Sequence, residues 1–253
     1  MKRICFLLYL CIHVMIFAFG QDVLDKKTYG INIGESMTFR DGNIYNSSVP
    51  TDIARYKYEN SYDMSFLTVA KDMSMKKYLL LYSENILILY EQQRKSPAIF
   101  GVYPFSLSEG LIFADDKDIV ASSELKEGNI TYYAKNLGNL CIDMPWVEGV
   151  NGNGIGETLQ FSVNASGMYI MIGYISFDKP YLWKQNSRPQ KVRISFSDTD
   201  DVIDTELKDI PHPQYVHFNR FHQDAIITIK IMSVYKGTKY EDTCIHAVIF
   251  KAP

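Results

Sequence analysis

A chain of 253 residues with 47% hydrophobic and 13% aromatic residues holds enough apolar material for one large or two small cores, which excludes disorder over most of its length. Its net charge of −3, with no sustained run of either sign, does not suit a partner held through bulk charge, such as nucleic acid.

The first residues, Met1-Lys2-Arg3, are basic, the run from Ile4 to Phe19 is apolar, and Ala18 and Gly20 put small residues where a signal peptidase needs them. Residues 1–20 therefore read as a signal peptide cleaved after Gly20, and the mature protein is expected to be secreted, periplasmic or on the cell surface. Cys11 raises a lipid anchor as the alternative, but Leu8, Tyr9 and Leu10 are bulky where small residues belong. No later stretch is apolar for long enough to span a membrane as a helix. Cys5 and Cys11 leave with the signal, and Cys141 and Cys244 remain. In an oxidising compartment that pair permits one disulfide; two buried thiols fit a chain of this length equally well.

Helical periodicity is nearly absent, and short runs rich in Ile, Val, Tyr and Phe alternate with turn residues, so the fold class is all-β. Strands are expected near Met37–Phe39, Met64–Val69, Lys77–Tyr82, Ile86–Tyr90 and Ala98–Val102. Ser83-Glu84-Asn85 joins two of these as a hairpin, and Tyr45–Tyr62 reads as a loop. Polar and acidic residues between Pro104 and Lys117 mark a boundary near Asp118. It separates a small β-rich domain, residues 21–116, from a second domain, residues 117–253. There, strands at Thr158–Val163, Tyr169–Phe177, Gln190–Phe196, Tyr215–Phe218, Ile226–Tyr235 and His246–Phe250 suit a two-sheet sandwich.

Four stretches of that second half stand out: Ile119–Leu125 (IVASSEL), Trp146–Glu157 (WVEGVNGNGIGE), Lys179–Pro189 (KPYLWKQNSRP) and Tyr235–Ile245 (YKGTKYEDTCI). In order and spacing they resemble the discoidin-like, factor five/eight type C jelly roll of bacterial secreted proteins. The subgroup is the one named for the translocation domain of streptococcal NAD glycohydrolase. The resemblance implies a galactose-binding-like sandwich that attaches to glycans or cell surfaces, and it covers no catalytic region. In that family Ser-Glu commonly follows the Cys-Ile pair. Here the residues are His246 and Ala247, which lowers the expectation of a bound calcium. Residues 21–116 resemble no family we recognise.

The glycines at 149, 152, 154 and 156 fit a tight loop at one end of the sandwich; they lack the Lys-Ser or Lys-Thr and the helix of a phosphate cradle. In the third motif two prolines bracket Tyr181, Trp183, Asn186 and Arg188. Flat aromatics beside amide and guanidinium donors are what a sugar ring with its hydroxyl rim requires. The same residues would also serve as inward anchors, with Arg188 pairing an acid. Trp146 and Glu148 divide in the same way, and all six form the candidate ligand site. Asp198, Asp200 and Asp201 could group their oxygens, but as a loop tip they are expected to face water. His212, His217, His222 and Asp224 have neither helical nor strand spacing for a metal set. No nucleophile elbow is present, and neither Cys141 nor Cys244 has a recognisable base.

The expectation is thus an exported binding protein with no catalytic residue, cofactor or metal, whose partner is a glycan or another cell-surface ligand. The alternatives are a secreted enzyme or toxin component with its site in the N-terminal half, and an envelope protein whose sandwich only packs on a partner.

Overall fold

The computed structural model describes residues 23–252 except 33–34, 50, 95 and 103–109, so the signal-peptide reading of residues 1–20, with Cys5 and Cys11, falls outside the described residues. Eight antiparallel strands follow one another around a closed barrel: β1 Thr28–Asn32, β2 Glu35–Arg40, β3 Asn43–Asn46, β4 Ile53–Ser61, β5 Met64–Lys71, β6 Ser74–Tyr82, β7 Ile86–Glu91 and β8 Ala98–Val102. Closure comes from β8 pairing back onto β1, which leaves no sheet edge.

Strand periodicity explains why Leu79–Leu81 of β6 and Ile86–Tyr90 of β7 are apolar at every position. Successive side chains point to opposite faces. Leu80, Leu87 and Leu89 point into the barrel with Tyr29, Phe39 and Leu67, whereas Leu79, Leu81, Ile86, Ile88 and Tyr90 point out and are buried there too. The outer face is covered by the second domain.

One expectation fails here. The loop assigned to Tyr45–Tyr62 contains the nine-residue strand β4. Its alternation is real but muted: Tyr56 turns inward, while Arg55 and Lys57 face water. A barrel strand exposed on one side needs few apolar residues, so it does not stand out.

The second domain contains β9 Leu111–Ile112, β10 Ile119–Ala121, β11 Lys126–Glu127, β12 Ile130–Thr131, α1 Asn136–Asn139, β13 Trp146–Val147, β14 Thr158–Ser162, β15 Ala165–Ile172, α2 Leu182–Gln185, β16 Arg188–Phe196, β17 Val202–Glu206, β18 Gln214–His222, β19 Ile226–Tyr235 and β20 Cys244–Lys251. Two sheets face each other, one ordered β10-β14-β19-β16-β17 and the other β13-β20-β15-β18, with β9 also on β20. Because β9 pairs with β20, the sandwich begins at Leu111, ahead of the boundary expected near Asp118.

The register of β15 on β20 fixes what each face does. Met168 opposite Phe250 and Ile170 opposite Val248 fill the sandwich core, while Tyr169 opposite Ile249 and Met171 opposite Ala247 face the barrel. Seven of the eight residues of β20 are buried, which follows from a strand enclosed on both sides.

A buried histidine, His246, and a half-buried one, His212, lie on this inter-domain face. Tyr90 Oη is 2.9 Å from the Leu140 carbonyl, to which it donates, and 3.0 Å from His246 Nε2. The tyrosine's single proton is thereby used, so Nε2 must donate to Tyr90, and the ring is neutral with an unpartnered Nδ1. Burial pushes its pKa down to about 3. Thus His246 is a docking residue for the barrel. His212 packs on the Tyr82 ring at 4.0 Å, and burial lowers its pKa to about 4.

The pair Cys141 and Cys244 forms no disulfide; both are thiols. Cys244 is enclosed by Tyr132 and Val147, with its Sγ 3.8 Å from the Asp242 carbonyl, whereas the Cys141 sulfur turns to the Ile142 carbonyl at 3.7 Å.

Candidate ligand-binding site

The four sequence motifs come together at one end of the sandwich and hydrogen-bond to one another. Trp146 is fully buried, its Nε1 donating to the Ser123 carbonyl at 3.0 Å. Ser122 and Ser123 both donate to the Glu157 carboxylate, and Gly149 N donates to Ser123 Oγ at 2.9 Å. Glu148 is also fully buried. Its two oxygens accept from the backbone of Val150 at 2.9 Å and of Thr243 at 3.2 Å, tying the second motif to the fourth. Burial raises its pKa, against the pull of those two backbone donors.

The glycine-rich loop closes over this carboxylate. Gly154 has φ +59°, and a Cβ there would come within 2.4 Å of Glu148 Cγ. A Gly154→Ala substitution should therefore destabilise the domain by more than about 1 kcal/mol, measurable as a lower urea midpoint at unchanged slope.

The third motif is locked in the same manner. Trp183 is fully buried, with Nε1 donating to the Ile172 carbonyl at 3.0 Å and its ring packed on Gly173, where a Cβ would sit 2.6 Å from the indole. The Arg188 guanidinium lies 4.6 Å from that ring's centre. It donates to both Asp209 oxygens at 2.7 and 3.2 Å and to the carbonyls of Trp183 and Asn186. Burial opposes ionisation of Asp209, but the Arg188 hydrogen bonds hold its pKa below the usual carboxylate value. Asn186 Nδ2 turns back to the Leu182 carbonyl at 2.9 Å.

This corrects the candidate site. Trp146, Glu148, Trp183 and Arg188 are interior anchors with their polar atoms already engaged, whereas Asn186, at 7% exposure, caps its own turn and lines the pocket described below. Only Tyr181, at 36%, presents a substantial surface. Of the acidic tip, Asp198 accepts from His222 Nδ1 at 2.9 Å and Asp201 pairs with Arg220 at 3.0 Å. Among the described residues no three His, Cys, Asp or Glu side chains gather as a ligand set for a metal.

What the motifs frame is a pocket of about 360 Å³ between the β11–β12 hairpin, the turn carrying α2 and the segment before β20. Tyr132 and Tyr174 form an edge-to-face pair 6.0 Å apart within it, and Tyr181 and Tyr240 bring exposed rings to its lining. Glu127, Asp242, Lys239 and Gln185 add acceptors and donors, with Lys239 Nζ 4.8 Å from the centre of the Tyr240 ring. Flat tyrosine faces beside polar groups can stack on a ring and bind its substituents. Sequence reasoning missed Tyr132, Tyr174 and Tyr240; the one signal was Tyr240, inside a motif taken to be mostly structural.

The family model for the NAD glycohydrolase translocation F5/8 type C domain matches residues 114–251. The chain belongs to this family. The match covers the sandwich and stops short of the barrel. No curated protein matches the chain. Among solved structures, the family 32 CBM from C. perfringens NanJ, determined in complex with galactose, aligns at 14% identity and a TM-score of 0.40, covering 56% of this chain and 98% of that one. No helix among the described residues is long and apolar enough to cross a membrane. Within the F5/8 type C domain, then, the family motifs build the frame and also supply most of the pocket lining, to which Glu127, Tyr132 and Tyr174 are added from outside them.

Proposed function

We propose that this is an exported, non-catalytic binding protein that attaches to carbohydrate at a cell surface through the loop-end pocket of its F5/8 type C domain. The observation that carries the reading is the lining of that pocket. Four tyrosines stand beside two carboxylates, two amides and two ammonium groups, which matches a sugar's apolar ring face and its hydroxyl rim. The frame is held by buried hydrogen bonds, so the loops are arranged before any ligand arrives, which reduces the ordering cost of binding. No cofactor enters the proposal.

The test is a glycan array with the mature chain and a Tyr240→Ala variant. Selective binding to a set of glycans is expected, weakened about tenfold or more by the substitution, equivalent to roughly 1.4 kcal/mol. An array without signal, or binding unchanged in Tyr240→Ala, would overturn the assignment.

A further inference from the structure

We infer that the ligand-binding surface continues onto the barrel: the cleft between the barrel and the segment before α2 is a second subsite, and the two together accept a neutral oligosaccharide several units long. The inference rests on the carbohydrate reading of the loop-end pocket.

The cleft has a volume of about 630 Å³ and is lined from both domains. Phe177 of the sandwich, half-buried, brings an aromatic edge to it and meets the buried Phe66 of the barrel edge to face at 5.5 Å, while Lys77 Nζ stands 4.8 Å from the Phe66 centroid. Asn60 and Gln92 contribute amides. Charges of both signs occur, and Lys57 is already paired with Glu59 at 2.7 Å. A lining of this kind suits a hydroxyl-rich, uncharged chain and has no basic excess to hold a polyanion.

One stretch of chain walls both cavities. Phe177, Asp178 and Pro180 line the cleft, while Lys179, Tyr181 and Leu182 line the loop-end pocket. Where they adjoin, the tip of the β4–β5 hairpin reaches across from the barrel. Tyr62 lies edge to face with Tyr181 at 6.0 Å, and Asp63 pairs with Lys184 at 3.1 Å.

That tip is strained. Its two turn residues, Tyr62 and Asp63, have φ of +53° and +63°, the left-handed conformation that such a turn normally gives to Asn-Gly. A tyrosine is an unfavourable choice there, and burial does not offset the strain, because Tyr62 is 59% exposed. What the conformation does achieve is to hold a second open ring beside Tyr181, between the two cavities. A sugar chain leaving the first pocket would cross these rings to reach the second.

The experiment uses the full mature chain on an array printed with matched series of neutral glycans from disaccharide to hexasaccharide. The variants are Tyr62→Asn, which tolerates the left-handed turn, and Lys77→Ala, with thermal unfolding confirming that both fold. The readout is the ratio of hexasaccharide to disaccharide affinity. The wild type should favour the hexasaccharide about tenfold or more, and each variant should reduce that preference at least threefold. Equal affinity for all lengths, or a preference that neither variant changes, would overturn the extended site and leave the loop-end pocket standing. Failure to bind any glycan would overturn both.

Discussion

Replacing Trp183 by Ala is expected to destabilise the protein by about 3–5 kcal/mol, seen as a fall of roughly 6–20 °C in the unfolding midpoint. The indole fills space that nothing else can occupy, packed against Gly173 and below the Arg188 guanidinium, and it belongs to the apolar cluster shared with the barrel. Its loss would also leave the Ile172 carbonyl without its 3.0 Å donor. A tryptophan that served as a ligand platform would behave in the opposite way: Trp183→Ala would abolish binding and leave the melting temperature in place.

The second large effect is one of pH. His246 and His212 are neutral in the folded protein, with pKa values lowered by burial to about 3 and about 4. In the unfolded chain a histidine titrates near 6.5. Above that pH neither state binds the proton, and nothing is lost. As the pH falls below about 6.5, the unfolded chain takes up protons that the folded state refuses, so stability declines until the folded pKa values are reached. At pH 5 each histidine should cost about 2 kcal/mol, about 4 kcal/mol together. Both sit where the barrel meets the sandwich, His246 against Tyr90 with the Cys141 thiol nearby, and His212 against Tyr82. Urea unfolding at pH 7.5 and pH 5.0 would show the loss. The double variant His246→Gln, His212→Phe keeps the donor to Tyr90 and the aromatic contact to Tyr82, and should remove most of the difference. An equal pH dependence in the variant would assign the effect to other groups.

The architecture of the second domain was legible because its strands alternate strongly: Ile227, Ile229 and Ile231 fill one face of β19 while Ile226, Lys230 and Met232 lie outside. Four local motifs pointed to the family, and several of their residues are held by contacts in another motif, as Trp146 is by Ser123 and Glu148 by Thr243. The same fact explains why the candidate site was misread. An aromatic residue between two prolines looks alike in sequence whether it faces water or core. Nothing local to Trp183 reveals that Gly173 leaves a recess for it. Of the rings that line the pocket, Tyr181 was among the candidates, while Tyr132, Tyr174 and Tyr240 come from segments far apart in sequence that only the sandwich brings together. The pair His246 and Ala247 was read by what it lacked, an acid for calcium. The actual contact of His246, Tyr90, lies in the other domain and carries no sequence signal.

The distinction between frame and pocket is tested most directly by amide hydrogen exchange of the mature chain with and without a glycan selected on the array. Added protection is expected at residues 125–132 and 239–242, with the glycine-rich loop 149–156 unchanged. Protection confined to 149–156, or none at either pocket segment in the presence of a bound glycan, would contradict the account.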